Sequence, residues 1–151
     1  MDHIITLSVT LNLCLDEVFR LFSGKEGLEK WLAPKAEVQH EVGGKFELYW
    51  DLDDLENDST KGCHLTGFEP DRFLSFEWRS PRQFKSFANR ADPLTHVVIF
   101  FFPFDEEKTE VRLVHSGWRR TPEWEEARIW QERAWEMAFA QLEMTNQKTL
   151  D

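Results

Sequence analysis

Tyrosine is almost missing from this chain, one residue against 7 tryptophans and 13 phenylalanines in 151. Cysteine is scarce too. Cys14 and Cys63 are too few for a disulfide framework and are expected as free thiols in a reducing cytosol. No apolar run approaches the roughly 18 residues of a bilayer span. No basic-then-apolar stretch opens the sequence, so a cytoplasmic protein without a membrane span is expected. Positive charge is in short supply: 18 Lys and Arg against 28 Asp and Glu give a net charge of −10. That balance repels phosphate backbones and argues against a nucleic-acid partner. His3, His40, His64, His96 and His115 show no HxH or HExxH spacing and the cysteines no CxxC, which argues against zinc. Neither a phosphate-cradling glycine loop nor a GxSxG elbow is present, and no cofactor is expected. No Pro/Gly/Ser-rich linker or internal repeat divides the chain, so residues 1–151 read as one domain.

What is present is ordered sequence, with 41% apolar and 30% charged residues. Residues 3–11 alternate, placing Ile5, Leu7, Val9 and Leu11 on one face of a strand. LDEVFRLFS then shifts to helical spacing through Leu15, Val18, Phe19 and Phe22 and stops at Gly24. A second short helix, KEGLEKWLA, is halted by Pro34. Strand patterns follow in KFELYW, FLSFEWR, HVVIFFFPF and TEVRLVHS, with Gly43 and Gly44 supplying a turn or bulge before the first of them. GCHLTGFE reads as a strand whose faces cannot be assigned from its mixed pattern. Consecutive strands with short turns predict an antiparallel sheet. DLDDLENDST reads as an acidic hairpin tip and residues 80–93 as a longer loop. The acidic run lacks the glycine and the distant glutamate of a calcium loop, so it is taken as a solvated loop.

Pro122 suits the first turn of a final helix, with Thr121 as N-cap and Glu123, Glu125 and Glu126 at the positive end of its dipole. Nothing breaks that helix before about Asn146. Steps of about 100° put Trp124, Ala127, Ala134, Trp135, Ala138 and Leu142 on one face, with Gln131 near its middle and Arg128 at its edge.

Strand, two short helices, about six strands and a long terminal helix is the order of the helix-grip fold. The segments LDEVFRLFS, GLEKWLAP, EVGGKFELYW, EPDRFLSFEW, TEVRLVHSGW and WEMAFAQLEM run in the order of one family across almost the whole chain. On them the sequence resembles the activator of heat-shock-protein-90 ATPase homologue-like proteins, within the START-related (SRPBCC) superfamily. Ala134 departs from it, standing before Trp135 where glycine is common. The resemblance implies an α+β helix-grip domain, a curved antiparallel sheet of six or seven strands around the C-terminal helix. It also implies a cavity between them, and no reaction, since the family has no single catalytic set.

Candidate site residues follow from the faces. His115 continues the Val111–Leu113 face inward, where an imidazole could bind a ligand, move a proton, or serve as a bonded structural group. Gln131 needs a partner, a water or a ligand. Arg128 could clamp a ligand carboxylate or pair with a neighbouring acid. Trp31, Trp50, Trp78 and Trp135 could wall a pocket or simply pack. Trp118, Trp124 and Trp130 are candidate surface or interface residues, so a homodimer stays open. The expected function is non-enzymatic enclosure of a small hydrophobic or amphipathic molecule. The resemblance leaves two alternatives: a cyclase- or aromatase-type enzyme using His115, and a module that docks on a chaperone in a stress response.

Overall fold

A computed structural model describes residues 3–147, so positions 1, 2 and 148–151 of the expected domain lie outside the described residues. The chain runs β1 (Ile5–Leu11), α1 (Leu15–Ser23), α2 (Lys25–Trp31), β2 (Lys35–Val38), β3 (Phe46–Tyr49), β4 (Leu65–Glu69) and β5 (Phe73–Trp78). It continues through α3 (Lys85–Ala88), β6 (Thr95–Asp105), β7 (Lys108–Ser116) and α4 (Pro122–Gln147). The strands are antiparallel and the architecture is the expected α+β one with a long terminal helix. Five strands form one sheet in the order β1-β7-β6-β5-β4, and β2 and β3 form a separate pair. The pair is stitched to the segment leading into β4 by isolated bridges from Lys45 to His64 and Tyr49 to Ser59, and by backbone bonds from Phe46 N to Cys63 O (3.0 Å) and Leu65 N to Gly44 O (2.9 Å). Gly43, at φ +87, makes the turn that precedes β3, a conformation a Cβ would penalise. The loop at 80–93 carries one short turn of helix, α3, that the sequence pattern did not signal.

Alternation sets which side chains meet. On β1 and β7 the pleat buries Ile5, Val9 and Leu11 against Val111, Leu113 and His115, in a register that sets Ile5 opposite His115. On β3 the alternation fails, because all four residues are buried. Phe46 and Leu48 join the core, while Tyr49 Oη donates to Glu47 Oε1 at 2.6 Å and Gly62 N–H donates to Oε2 at 2.8 Å. Burial opposes the charge on Glu47, but those two bonds outweigh it and hold the carboxyl below its ordinary range.

Each helix faces the core through its apolar stripe. Val18, Phe19 and Phe22 turn inward from α1, and Phe22 packs its ring against Trp31, Phe101 and Phe139 at centroid distances of 4.9, 5.6 and 6.1 Å. Helix α4 starts as its sequence predicts, with Trp124 N–H donating to Thr121 Oγ1 at 3.3 Å. It buries Trp124, Ala127, Gln131, Trp135, Phe139 and Leu142, so Phe139 belongs to the face read from the sequence, while Ala134 and Ala138 stay half-buried. It packs on β1 and α2.

Helices α1 and α2 touch at Gly27, where an added Cβ would stand 2.3 Å from Arg20 O and 2.6 Å from Leu21 Cα. Glycine to alanine inside a helix ordinarily stabilises by about 0.5–1 kcal/mol. Here the clash is with backbone, and the overpacking cost wins. Gly27→Ala is expected to destabilise by about 1–3 kcal/mol in urea denaturation. An unchanged midpoint would mean that the two helices can part without loss.

Candidate functional site

A cleft of about 580 Å³ lies where α4 passes the end of β5, the end of α2 and the segment after β3. Trp31, Trp50, Trp78, Trp130 and Trp135 line it, with Gln131 among them. Its volume lies within the range of small-molecule pockets, and its make-up, mostly apolar with a few directing polar groups, is theirs as well.

The tryptophan walls are held from behind. Trp31 Nε1 donates to Leu21 O at 2.8 Å, Trp50 Nε1 to Leu32 O at 2.9 Å, and Trp78 Nε1 to Gln131 Oε1 at 3.2 Å. Trp135 Nε1 donates to His115 Nδ1 at 3.1 Å. With every one of these indole N–H groups engaged by protein, the rings offer the cleft carbon surface. Trp78 and Trp135 lie 4.9 Å apart between centroids, and Trp50 meets Trp78 edge-on at 5.8 Å. Trp31, Trp78 and Trp135 are buried, whereas Trp50, 37% exposed, stands at the rim.

Gln131 has its orientation imposed on it. The Trp78 indole can only donate, so the amide oxygen must face it and the amide nitrogen turns the other way. That nitrogen has no hydrogen-bond partner among the described residues, and its residue lines the cleft. It is a donor held ready for a ligand or a water.

His115 does point inward, as its strand face predicts, but it lies behind the wall and outside the cleft lining. The rings of Trp78, Trp118 and Trp135 surround it at 5.9, 4.7 and 6.3 Å. Its Nδ1 accepts from Trp135, so the proton sits on Nε2 and is donated to Thr95 Oγ1 at 3.0 Å. Both nitrogens are occupied, and burial, with a smaller contribution from nearby His96, pushes the imidazole down to about 3. A ring enclosed in this way has no free nitrogen to offer the cleft and is neutral at neutral pH.

Arg128 is likewise outside the lining. Its guanidinium is claimed by Glu125 three residues before it and Glu132 four residues after, with Nη1 2.8 Å from Glu132 Oε1. Of the three tryptophans expected at the surface, only Trp130 is exposed. Trp118 is buried because its indole N–H reaches back to His115 O at 3.2 Å, and Trp124 packs against Trp118 and Phe87.

Sequence reasoning missed the polar end of the cleft. Asp58 and Ser59 line it from the segment read as an acidic tip, Pro81 and Gln83 from the segment read as a loop, and Arg79 from the last position of the strand pattern FLSFEWR. Among the described residues, Asp58 and Arg79 are the only titratable side chains in the lining. The Asp58 carboxylate is engaged by Arg82, whose backbone N–H and Nε both lie 2.8 Å from it. The cleft therefore has the makings of a binding site and holds no acid–base pair. Among the described residues no cluster of three His, Cys, Asp or Glu could hold a metal ion, and no helix is long and apolar enough to cross a membrane. The two cysteines are free. Cys14 donates to Glu17 Oε1 at 3.2 Å, and burial pushes the Cys63 thiol up to about 12.

His115 makes acid stability a readable quantity. The unfolded chain takes up a proton at about pH 6.5, which the folded protein refuses until about pH 3. Its contribution is thus intact above pH 6.5 and is lost as pH falls toward 3, at about 1.4 kcal/mol per pH unit. His115→Asn removes that dependence, so it should lower stability near pH 7 and flatten the acid limb in urea denaturation between about pH 7 and 4. Parallel acid limbs in the two proteins would show that His115 titrates alike folded and unfolded.

Comparison with solved structures returns the same fold at low identity. A Mesorhizobium loti protein superposes with a TM-score of 0.75 at 20% identity, over 97% of this chain and 98% of that one. A structure described as the Aha1 dimer from Colwellia psychrerythraea gives 0.70 at 14% identity, over 96% of each chain. One described as an HSP90 activator from Plasmodium falciparum gives 0.56 at 19% identity, over 75% of this chain and 71% of that one. No curated protein matches. The family profile described as "Activator of Hsp90 ATPase homolog 1-like protein" matches residues 12–146, the stretch that carries β2 to β7, nearly all of the helical residues and every wall of the cleft. The chain belongs to that family.

Proposed function

We propose that this protein is a single-domain, non-catalytic binding module that takes a small hydrophobic or amphipathic molecule into the cleft beside α4. The observation that carries the reading is the wall of five tryptophans, four of them with the indole N–H engaged by protein, and the Gln131 amide nitrogen left over as a directing donor. Ring faces reward a flat or aliphatic body, and one donor selects its orientation. A cyclase-type role through His115 loses its acid–base group, because that ring is enclosed and neutral. Two free thiols favour a cytoplasmic setting for the module.

A second reading, docking on another protein, is favoured by one observation. The outer sheet face exposes Phe100, Phe102 and Phe104, with Phe73 6.3 Å from Phe100 and Arg112 over the Phe102 ring. Two similar structures are described as a dimer and an HSP90 activator, which supports a second copy of the chain or a chaperone as the partner to test at that face. For the second copy, sedimentation should show self-association that Phe100→Ser with Phe102→Ser abolishes. A monomer at all concentrations would remove the homodimer.

The cleft is tested by filling it. Ala134 is half-buried in the lining, so Ala134→Trp should plug the space, abolish uptake of the neutral dye Nile red and leave the melting temperature near that of the parent. If the space behaved as closed core, the added ring would instead cost about 1–3 kcal/mol or more through overpacking. Normal dye uptake by a strongly destabilised variant would refute the site.

A further inference from the structure

Beside the tryptophan cleft lies a second, polar recess of about 290 Å³, and the two share Asp58, Ser59 and Arg79. The recess gathers four cations, Lys61, Arg79, Arg82 and Lys85, against two carboxylates, Glu56 and Asp58, in a protein whose net charge is −10. The carboxylates are already spoken for. Glu56 pairs with Lys61, and Asp58 with Arg82. Among the described residues Arg79 has no ion pair. Its Nη1 reaches only the carbonyl oxygen of Asn89, at 3.3 Å, and its Nε is buried without any hydrogen-bond partner. The guanidinium also lies beside the Cys63 thiol, a neutral neighbour, and a guanidinium without an ion pair is a fork shaped for an oxyanion.

Resting on the binding function proposed above, we infer that the ligand is an amphipathic oxyanion, its apolar body between the tryptophans and its carboxylate- or phosphate-like head on Arg79. The boundary position of Arg79 sets the polarity. Apolar wall and cationic recess meet at this residue, so a molecule lying in the cleft with its head at Arg79 sets its charge beside a guanidinium that has no ion pair, without burying charge among the rings. Asp58, the shared carboxylate, does not oppose this, since two nitrogens of Arg82 hold it. The Gln131 amide nitrogen is left to a polar atom along the body.

The test compares dansylaminoundecanoic acid with its methyl ester, followed by dansyl emission on the full chain. The two probes share a body and differ in the charge of the head. The acid should bind at least about tenfold more tightly than the ester, the return of a hydrogen bond to a charged group. Arg79→Gln should erase that preference by bringing the acid to the affinity of the ester, and an unchanged melting temperature shows the variant folded. Laurate and dodecyl phosphate as competitors identify the head, the better displacer being the oxyanion the recess takes. Equal affinity of acid and ester for the parent protein overturns the inference while the cleft reading stands, and that comparison needs no variant. So does Arg79→Gln weakening both probes alike. Failure of both probes to bind would overturn the cleft reading as well.

Discussion

One histidine, accepting from Trp135 and donating to Thr95, ties the terminal helix to the sheet at the point where the cleft begins. Trp135 sits on α4, His115 on β7 and Thr95 at the start of β6, so the bonds run from helix through sheet without a break. The ring is wholly buried, and its neutrality is a condition of the arrangement. A proton on Nδ1 would leave the indole N–H facing another donor, and two unsatisfied buried donors would replace one bond. Trp78 lies against the same ring and passes its own N–H to Gln131 on α4. The angle of two cleft walls and the orientation of the Gln131 amide nitrogen both follow from this node.

The two ends of the core are packed on different terms. Toward α1, Phe19, Phe22, Phe68 and Phe101 meet edge-on or tilted at 5.1–5.7 Å, which fills that end with rings. Beside Trp135, α4 carries Ala134 and Ala138 instead, and the space they leave is the cleft. Close packing at one end supplies the stability against which an unfilled space at the other can be kept.

Period and capping made most of the fold legible in the sequence. The inward faces of β1 and β7, the stop before Pro34 and the Thr121 start of α4 are local effects, written in residues a few positions apart. Trp31, Trp50, Trp78, Gln131 and Trp135 could be placed at the cleft for the same reason. What alternation cannot say is how deep an inward residue lies. His115 shares a face with the core, and only the tryptophans of other elements decide that it stands behind the wall. For Arg128 the acids at Glu125 and Glu132 were visible at helical spacing, and pairing won. Arg79 was hidden for a different reason. Strict alternation would send it to the face opposite Trp78, but β5 ends at Trp78 and the chain turns. The split of the strands into five and two was also out of reach, since it depends on how the segment after Gly43 meets β4.

The walls of the cleft have a consequence for how the protein can be observed. Five of its seven tryptophans stand around a single space, and there is one tyrosine in the chain. Its near-ultraviolet absorption and emission are therefore dominated by rings that share one environment. Any molecule displacing water from that space changes the polarity around most of the chromophores at once. The protein carries a built-in optical gauge of occupancy, and an unlabelled sample suffices to follow the space as it fills or empties.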